Sequence, residues 1–171
     1  MSKTARFVVI INDNVAWMEN EAHQFYERLF NQKEAVDKYA EEKFSQKELF
    51  RIQNDFSIEI LMVYDNENPQ SFLKLDSSRL SNENMGAQKA IALKDIIHFN
   101  ADDINVLLKR AEEIAFQRKH DIIWTKVFEC DQELIQVLQT LEYERFEFER
   151  ETEKDDFQPQ LYFKKTIKLI L

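Results

Sequence analysis

IALKDIIHFNADDINVLLKRAEEIA, residues 91–115, decides the fold of this chain. The apolar and β-branched run KAIALKDIIHF reads as a strand, and from Ile104 the spacing turns helical. Ile104, Leu107, Leu108, Ala111, Ile114 and Ala115 fall on one stripe of a long helix. A strand running straight into a helix is where many folds hold a phosphate, because free N–H groups and the positive end of the helix dipole meet there. Such joins usually carry glycines, which let the backbone approach without a Cβ. This join, Asn100 to Asn105, has none. Asn100 is placed to cap the helix, and Asp102 and Asp103 fall in its first turn, where a phosphate would rest.

Working outward, TARFVVII reads as a first strand, and a helix follows from NDNVAW to about Phe30. KEAVDKYAEEKF and SQKELFRIQND give two shorter helices, the second marked by Ser45 and Glu48 at capping-box spacing. FSIEILMVYD, NENPQ and SFLKLDSS form strand, turn and strand, with Pro69 expected in the turn. RLSNENMGAQ is a polar loop. Beyond the long helix, DIIWTKVFE is a strand, DQELIQVLQTL a helix, and YERFEFER and PQLYFKKTIKLI the last strands. No repeat, low-complexity tract or linker interrupts the chain, so one α/β domain spanning residues 1–171 is expected, with helices on both faces of a mixed sheet.

The composition sets limits on function. A chain of 171 residues with 44% apolar content buries enough surface to fold without metal or disulfide, and Cys130 is its only cysteine. A net charge of −9 opposes nucleic-acid binding, which needs a basic surface to displace counterions. FVVII is too short for a secretory apolar region or a membrane span, so a cytoplasmic location without membrane contact is expected. There is one glycine, Gly86, which excludes the glycine-rich nucleotide loops. His23, His98 and His120 have no metal-ligand spacing, and no metal is expected.

From IALKDIIHF through INVLLKRAEEIAFQRKHDIIWTKVFECDQELIQVLQTLEYERFEFE, the order strand, long helix, strand, short helix, strand resembles the second half of the GNAT superfamily of acetyl-CoA-dependent N-acetyltransferases. VDKYAEEKFSQKELFRIQNDFSIEILMVYDNENPQSFLKL is similar to the segment before and within that family's central hairpin. The spermine/spermidine N-acetyltransferase branch is the most similar, and the resemblance covers roughly Phe7 to Lys165. It implies a GNAT (acyl-CoA N-acyltransferase) fold: a central mixed, mostly antiparallel twisted sheet flanked by helices on both faces. It also implies acetyl-CoA as cofactor, its pyrophosphate on the turn Asn100, Ala101, Asp102, Asp103, Ile104, Asn105.

The functional motifs of that family are replaced. Its Gln/Arg-x-x-Gly-x-Gly/Ala loop is represented by NADDIN, about four residues shorter. Two unit charges about 4 Å apart repel by roughly 1 kcal/mol in water and roughly 4 kcal/mol at an effective dielectric near 20, so the aspartates oppose a pyrophosphate. The family's Asn corresponds to Asp131, its proton-donating Tyr to Leu138, and its Asn-Gly-Phe to Leu141, Glu142 and Tyr143. The resemblance therefore points to a protein that has lost standard acetyl-CoA catalysis and acts by binding a partner or small ligand, as a homodimer or with a small amine or protein. The alternative is an active N-acetyltransferase acting on a primary amine, polyamine-like or peptide. In that case Glu59 or His98 is the candidate base, and Lys109 and Arg110, or Lys74 and Lys94, replace the loop. Cys130 is a further candidate nucleophile, ERETEKDDF a candidate polycation site, and the apolar Leu169 to Leu171 a candidate interface.

Overall fold

The computed structural model describes residues 3–78, 87–147 and 158–168. Strand β1 (Lys3–Val8) leads into helices α1 (Asn12–Leu29), α2 (Lys33–Phe44) and α3 (Gln46–Gln53). A hairpin of β2 (Ile58–Asp65) and β3 (Asn68–Asp76) follows, then β4 (Ala90–Ile97), α4 (Ala101–Gln117) and β5 (Ile122–Phe128). Helix α5 (Gln132–Thr140), β6 (Glu144–Phe146) and β7 (Gln160–Thr166) complete the order. The strands make one seven-stranded sheet, β1-β2-β3-β4-β5-β7-β6. Every neighbouring pair is antiparallel except β4 and β5. No helix among the described residues is long and apolar enough to cross a membrane.

Alternation along β2 assigns the two faces. Ile60 and Met62 pack with the aromatic-rich faces of α1, α2 and α3, among them Phe25, Tyr26, Tyr39 and Phe44. Leu61 and Val63 point the other way, under the stripe Ile104, Leu107, Leu108, Ala111, Ile114 and Ala115 that the sequence assigned to one side of α4. Each face buries side chains worth roughly 1.5–3 kcal/mol apiece on transfer from water, so α4 is held by tertiary packing rather than by helix propensity.

The helix ends follow local chemistry. Ser45 Oγ accepts from Glu48 N at 3.2 Å at the start of α3, while the Glu48 carboxylate turns to Arg51 at 2.6 and 2.8 Å, so half of the capping box forms. Helices α4 and α5 both end in the paired bonds of a Schellman turn. His120 N bonds Ala115 O and Lys119 N bonds Phe116 O; Tyr143 N bonds Leu138 O and Glu142 N bonds Gln139 O. The residues that take the left-handed conformation there are Lys119 (φ 61°) and Glu142 (φ 68°), positions where glycine is usual.

Several expectations change in detail. Pro69 lies in β3 rather than in the turn, which is Asn66-Glu67 with Asn66 at φ 58°. The register shifts at Val63 and Tyr64 opposite Pro69, a bulge beside a residue that cannot donate to the ladder. Strand β1 ends at Val8, and the chain bends so that Ile10 is buried while Val9 and Ile11 are exposed. Asn14 fixes that bend, accepting from Ile11 N at 3.0 Å and donating to Val9 O at 2.8 Å. Most of the loop RLSNENMGAQ with Gly86, the acidic run ERETEKDDF and the apolar Leu169–Leu171 lie outside the described residues.

Candidate functional site

The site forms where β4 and β5 part. Their parallel pairing covers only Ala90 to Leu93 against Ile122 to Thr125, and Thr125 Oγ1 donates to Leu93 O at 2.8 Å on the last rung. Beyond it β4 continues to Ile97 and β5 to Phe128 without pairing to each other. The divergence starts at a bulge in β4, where Asp95 has φ 52° and the β3 register slips between Phe72 and Lys74. A β-bulge bends its strand and increases local twist, which carries β4 away from β5. The resulting cleft, about 600 Å³, is lined by α1, α2, β4, β5 and β7.

Its inner wall is aromatic. Tyr26 and Tyr39 lie against Phe128, the latter at 4.9 Å between ring centroids, and Trp124 and Tyr162 are 6.2 Å apart on the other side. At the bulge, Lys74 Nζ donates to Asp95 at 3.0 Å and to Lys43 O at 2.6 Å, and lies over the Phe44 ring. Burial would raise the Asp95 carboxyl, but Lys74, with Lys43 and Lys94, more than offsets this and holds it below the usual carboxylate range. Burial, with the Asp95 charge nearby, pushes the Tyr26 phenol well above its ordinary value, so it stays protonated.

The far end of the cleft is bridged. His98, one residue past β4, places Nε2 at 2.9 Å from both carboxylate oxygens of Asp131, the N-cap of α5. A carboxylate only accepts, so Nε2 carries the proton. Asp131 also accepts from Leu134 N at 3.3 Å, and Phe25 packs edge-on against the imidazole at 5.0 Å. Phe25 and Asp131 line both the cleft and a second cavity of about 250 Å³ beside His98, Arg28 and Cys130, so this pair stands between the two spaces. His98 Nδ1 is buried and has no hydrogen-bond partner among the described residues; Glu133 lies 3.8 Å away. Sequence reasoning singled out His98 but missed Asp131 as its partner, although Asp131 was already at a recognisable helix start.

The turn into α4 is occupied by its own side chains. Asn100 Oδ1 accepts from Asp103 N at 2.8 Å. Asp103 is 1% exposed; its carboxylate accepts from Lys3 Nζ at 2.9 Å, Ser71 Oγ at 2.7 Å and Asn100 Nδ2 at 3.2 Å. Asp102 faces out and meets Lys3 at 3.1 Å. Against the cost of burial, Asp103 and then Asp102 hold the Lys3 ammonium above its usual range. Ile104 is buried, and Asn105 folds back to donate to Ala101 O at 3.1 Å. Asn100 and Asp103 thus join α4 to β1 and β3, and the turn shows two carboxylates where an anion needs donors. These residues do not fit a pyrophosphate.

The remaining candidates are dispersed. Glu59 is on the α4 face of β2, away from the cleft, and forms a forked pair with Arg118 at 2.5 and 3.2 Å. Arg110 pairs with Glu113 on α4, while Lys74 and Lys94 are engaged by Asp95 and Asp76. Leu138 is fully buried beneath α4, and Tyr143 packs in the same cluster. Cys130 Sγ lies 3.8 Å from Leu29 O, and burial followed by the Asp131 charge pushes its thiol up, which opposes a nucleophilic role. Among the described residues no cluster of His, Cys, Asp or Glu is placed to hold a metal.

A mostly antiparallel sheet, split between one parallel pair by a bulge and flanked by helices on both faces, defines the architecture of the GNAT N-acetyltransferases, and this chain has that fold. It superposes on the PaiA N-acetyltransferase of Thermoplasma acidophilum, solved with coenzyme A, at a TM-score of 0.72 and 14% identity over 97% of this chain and 99% of that one. An N-acetyltransferase from Staphylococcus aureus Mu50 gives 0.66 and 11% identity over 98% and 99%. The spermidine N-acetyltransferase of Vibrio cholerae, solved with CoA and spermine, gives 0.62 and 11% identity over 96% of each chain. No family model and no curated protein matches the sequence.

Proposed function

We propose that residues 1–171 act as one GNAT-fold domain that does not perform standard acetyl-CoA transfer and serves as a binding or regulatory protein through the cleft between β4 and β5. The observation that carries this reading is the turn into α4. Asn100, Asp103, Lys3 and Ser71 satisfy one another there, and Asp102 adds a second carboxylate. The His98–Asp131 bond supports it, because two side chains that satisfy each other bridge the far end of the gap between the parted strands. Leu138, at the family's tyrosine position, has no proton to give.

A second reading, an active N-acetyltransferase, is favoured by the retained split in the sheet. On that reading His98, oriented by Asp131, is the base, and Glu59 has no place in the cleft. Calorimetric titration with acetyl-CoA and with CoA separates the two. The binding-protein reading expects no saturable heat up to about 1 mM coenzyme, a weak limit corresponding to roughly −4 kcal/mol. Micromolar binding would overturn it.

A further inference from the structure

We propose that His98 is a proton-operated clamp: a second proton, taken from solvent at Nδ1, draws Glu133 onto the ring and ties the end of β4 to α5 through two carboxylates instead of one. This goes beyond the binding-protein reading, because it concerns how the far wall of the cleft is held rather than what enters it. Nε2 carries the proton that bonds Asp131, so Nδ1 presents a lone pair. His98 is 6% exposed, and Nδ1 is buried without a hydrogen-bond partner among the described residues. Glu133 Oε1 faces it at 3.8 Å. Both atoms only accept in this state, and that distance is beyond hydrogen-bond reach.

A proton at Nδ1 turns the acceptor into a donor and leaves the two groups about 1 Å short of a charge-assisted bond. Glu133, in the first turn of α5, has a side chain 49% exposed, so it closes that gap by turning its own side chain. Asp131 is 4% exposed and already caps Leu134 N at 3.3 Å. The imidazolium then lies between one fixed and one movable carboxylate. The other titratable side chains lining the cavity with His98 are Arg28 of α1 and Cys130 of the turn before α5. The exposed Arg28 guanidinium lies 5.4 Å from the Phe99 ring, and burial pushes the Cys130 thiol up so that it stays neutral. Phe25, the other α1 contact of the ring, carries no charge. Imidazole is the side chain whose ordinary charge change falls between about pH 5 and 8. Asp131 also lines the cleft, so the clamp holds that wall more firmly as pH falls.

The full chain is read between about pH 7.5 and about pH 5.5 in two ways. Ring nitrogen NMR shifts are expected to show a proton on Nε2 alone at the upper value and on both nitrogens at the lower. Amide exchange of Leu134 reports how firmly Asp131 stays in place. Its protection factor, which divides out the intrinsic pH dependence of exchange, is expected to rise about threefold or more as pH falls. Glu133→Ala removes the second carboxylate and is expected to flatten that rise. Glu133→Gln is expected to be protected at both pH values, because its amide donates to Nδ1 without a proton. Circular dichroism checks the folding of each variant, and the wild-type ring shifts judge the proposal even where a variant fails to fold. A ring with its proton on Nδ1 at the upper pH, or with a single proton throughout, overturns the proposal. So does flat wild-type protection, a full rise retained in Glu133→Ala, or Glu133→Gln no better protected than Glu133→Ala. The coenzyme titration is a separate measurement, so acetyl-CoA binding would remove the binding-protein reading and leave the clamp to be judged by these readouts.

Discussion

Replacing Asp103 by alanine tests whether the turn into α4 is structural. The substitution removes the acceptor of a fully buried Ser71 hydroxyl and leaves Lys3, whose side chain is 23% exposed, with only the outward Asp102. An orphaned buried hydroxyl costs about 1–3 kcal/mol. Breaking a buried charge pair costs about 3–5 kcal/mol, reduced here because Lys3 reaches solvent. A loss of about 3 kcal/mol follows, which for a chain of this size lowers the thermal midpoint by about 6–12 °C. Asp102→Ala, at a side chain 71% exposed, is expected to stay within about 0.5 kcal/mol. Urea unfolding reads both, as a fall in the midpoint at constant slope. Adding Ser71→Ala to Asp103→Ala is expected to recover about 1 kcal/mol, because the hydroxyl left without an acceptor is removed. Equal effects of Asp102→Ala and Asp103→Ala, or a loss below about 1 kcal/mol for Asp103→Ala, would refute the reasoning.

Three further outcomes are expected. Glycine at Lys119 or Glu142, the left-handed positions after α4 and α5, is expected to raise stability by about 0.5–1 kcal/mol each in the same unfolding assay. Leu138→Ala is expected to cost about 2–5 kcal/mol through an unfilled cavity, and Leu138→Tyr to lose stability by overpacking without creating acetyl transfer, measured by thiol release from acetyl-CoA. His120 is buried, and burial, followed by the Lys89 charge, depresses its pKa below 6.5. The unfolded chain therefore binds the proton first, so stability is full above 6.5 and is lost as pH falls from there through the folded value. Denaturation midpoints across that window are expected to slope less in His120→Asn.

The pattern from Ile91 to Ala115 was legible because α4 buries one continuous stripe, and periodicity reports such a stripe directly. The capping roles of Asn100 and Ser45 were visible for a similar reason: they satisfy neighbours three residues away. The site was harder to read. Asp103 owes its role to Lys3, 100 residues away, and Ser71, 32 residues away, and no local pattern announces those partners. His98 and Asp131 meet across 33 residues of sequence from the ends of different strands, and a lone aspartate in a strand gives no sign of the positive φ at Asp95. The placement of Pro69 in a turn failed because a neighbouring bulge, invisible in sequence, accommodates it within β3. The resemblance assigned positions to roles, but only the folded arrangement shows which side chains now occupy them.

The parted strands also give the molecule a mechanical seam. β1 to β4 form one leaf and β5, β7 and β6 another, joined across the sheet by the rungs from Ala90–Ile122 to Leu93–Thr125. At the open end the side-chain bond from His98 to Asp131 straps the leaves together. Stress applied by anything wedged between them concentrates at the tip of the crack, Leu93 and Thr125, where the Thr125 hydroxyl adds one extra tie to the Leu93 carbonyl. Opening the seam also loads the layer beneath α4, which draws Leu61, Leu73 and Leu93 from one leaf and Ile123, Val127 and Phe163 from the other.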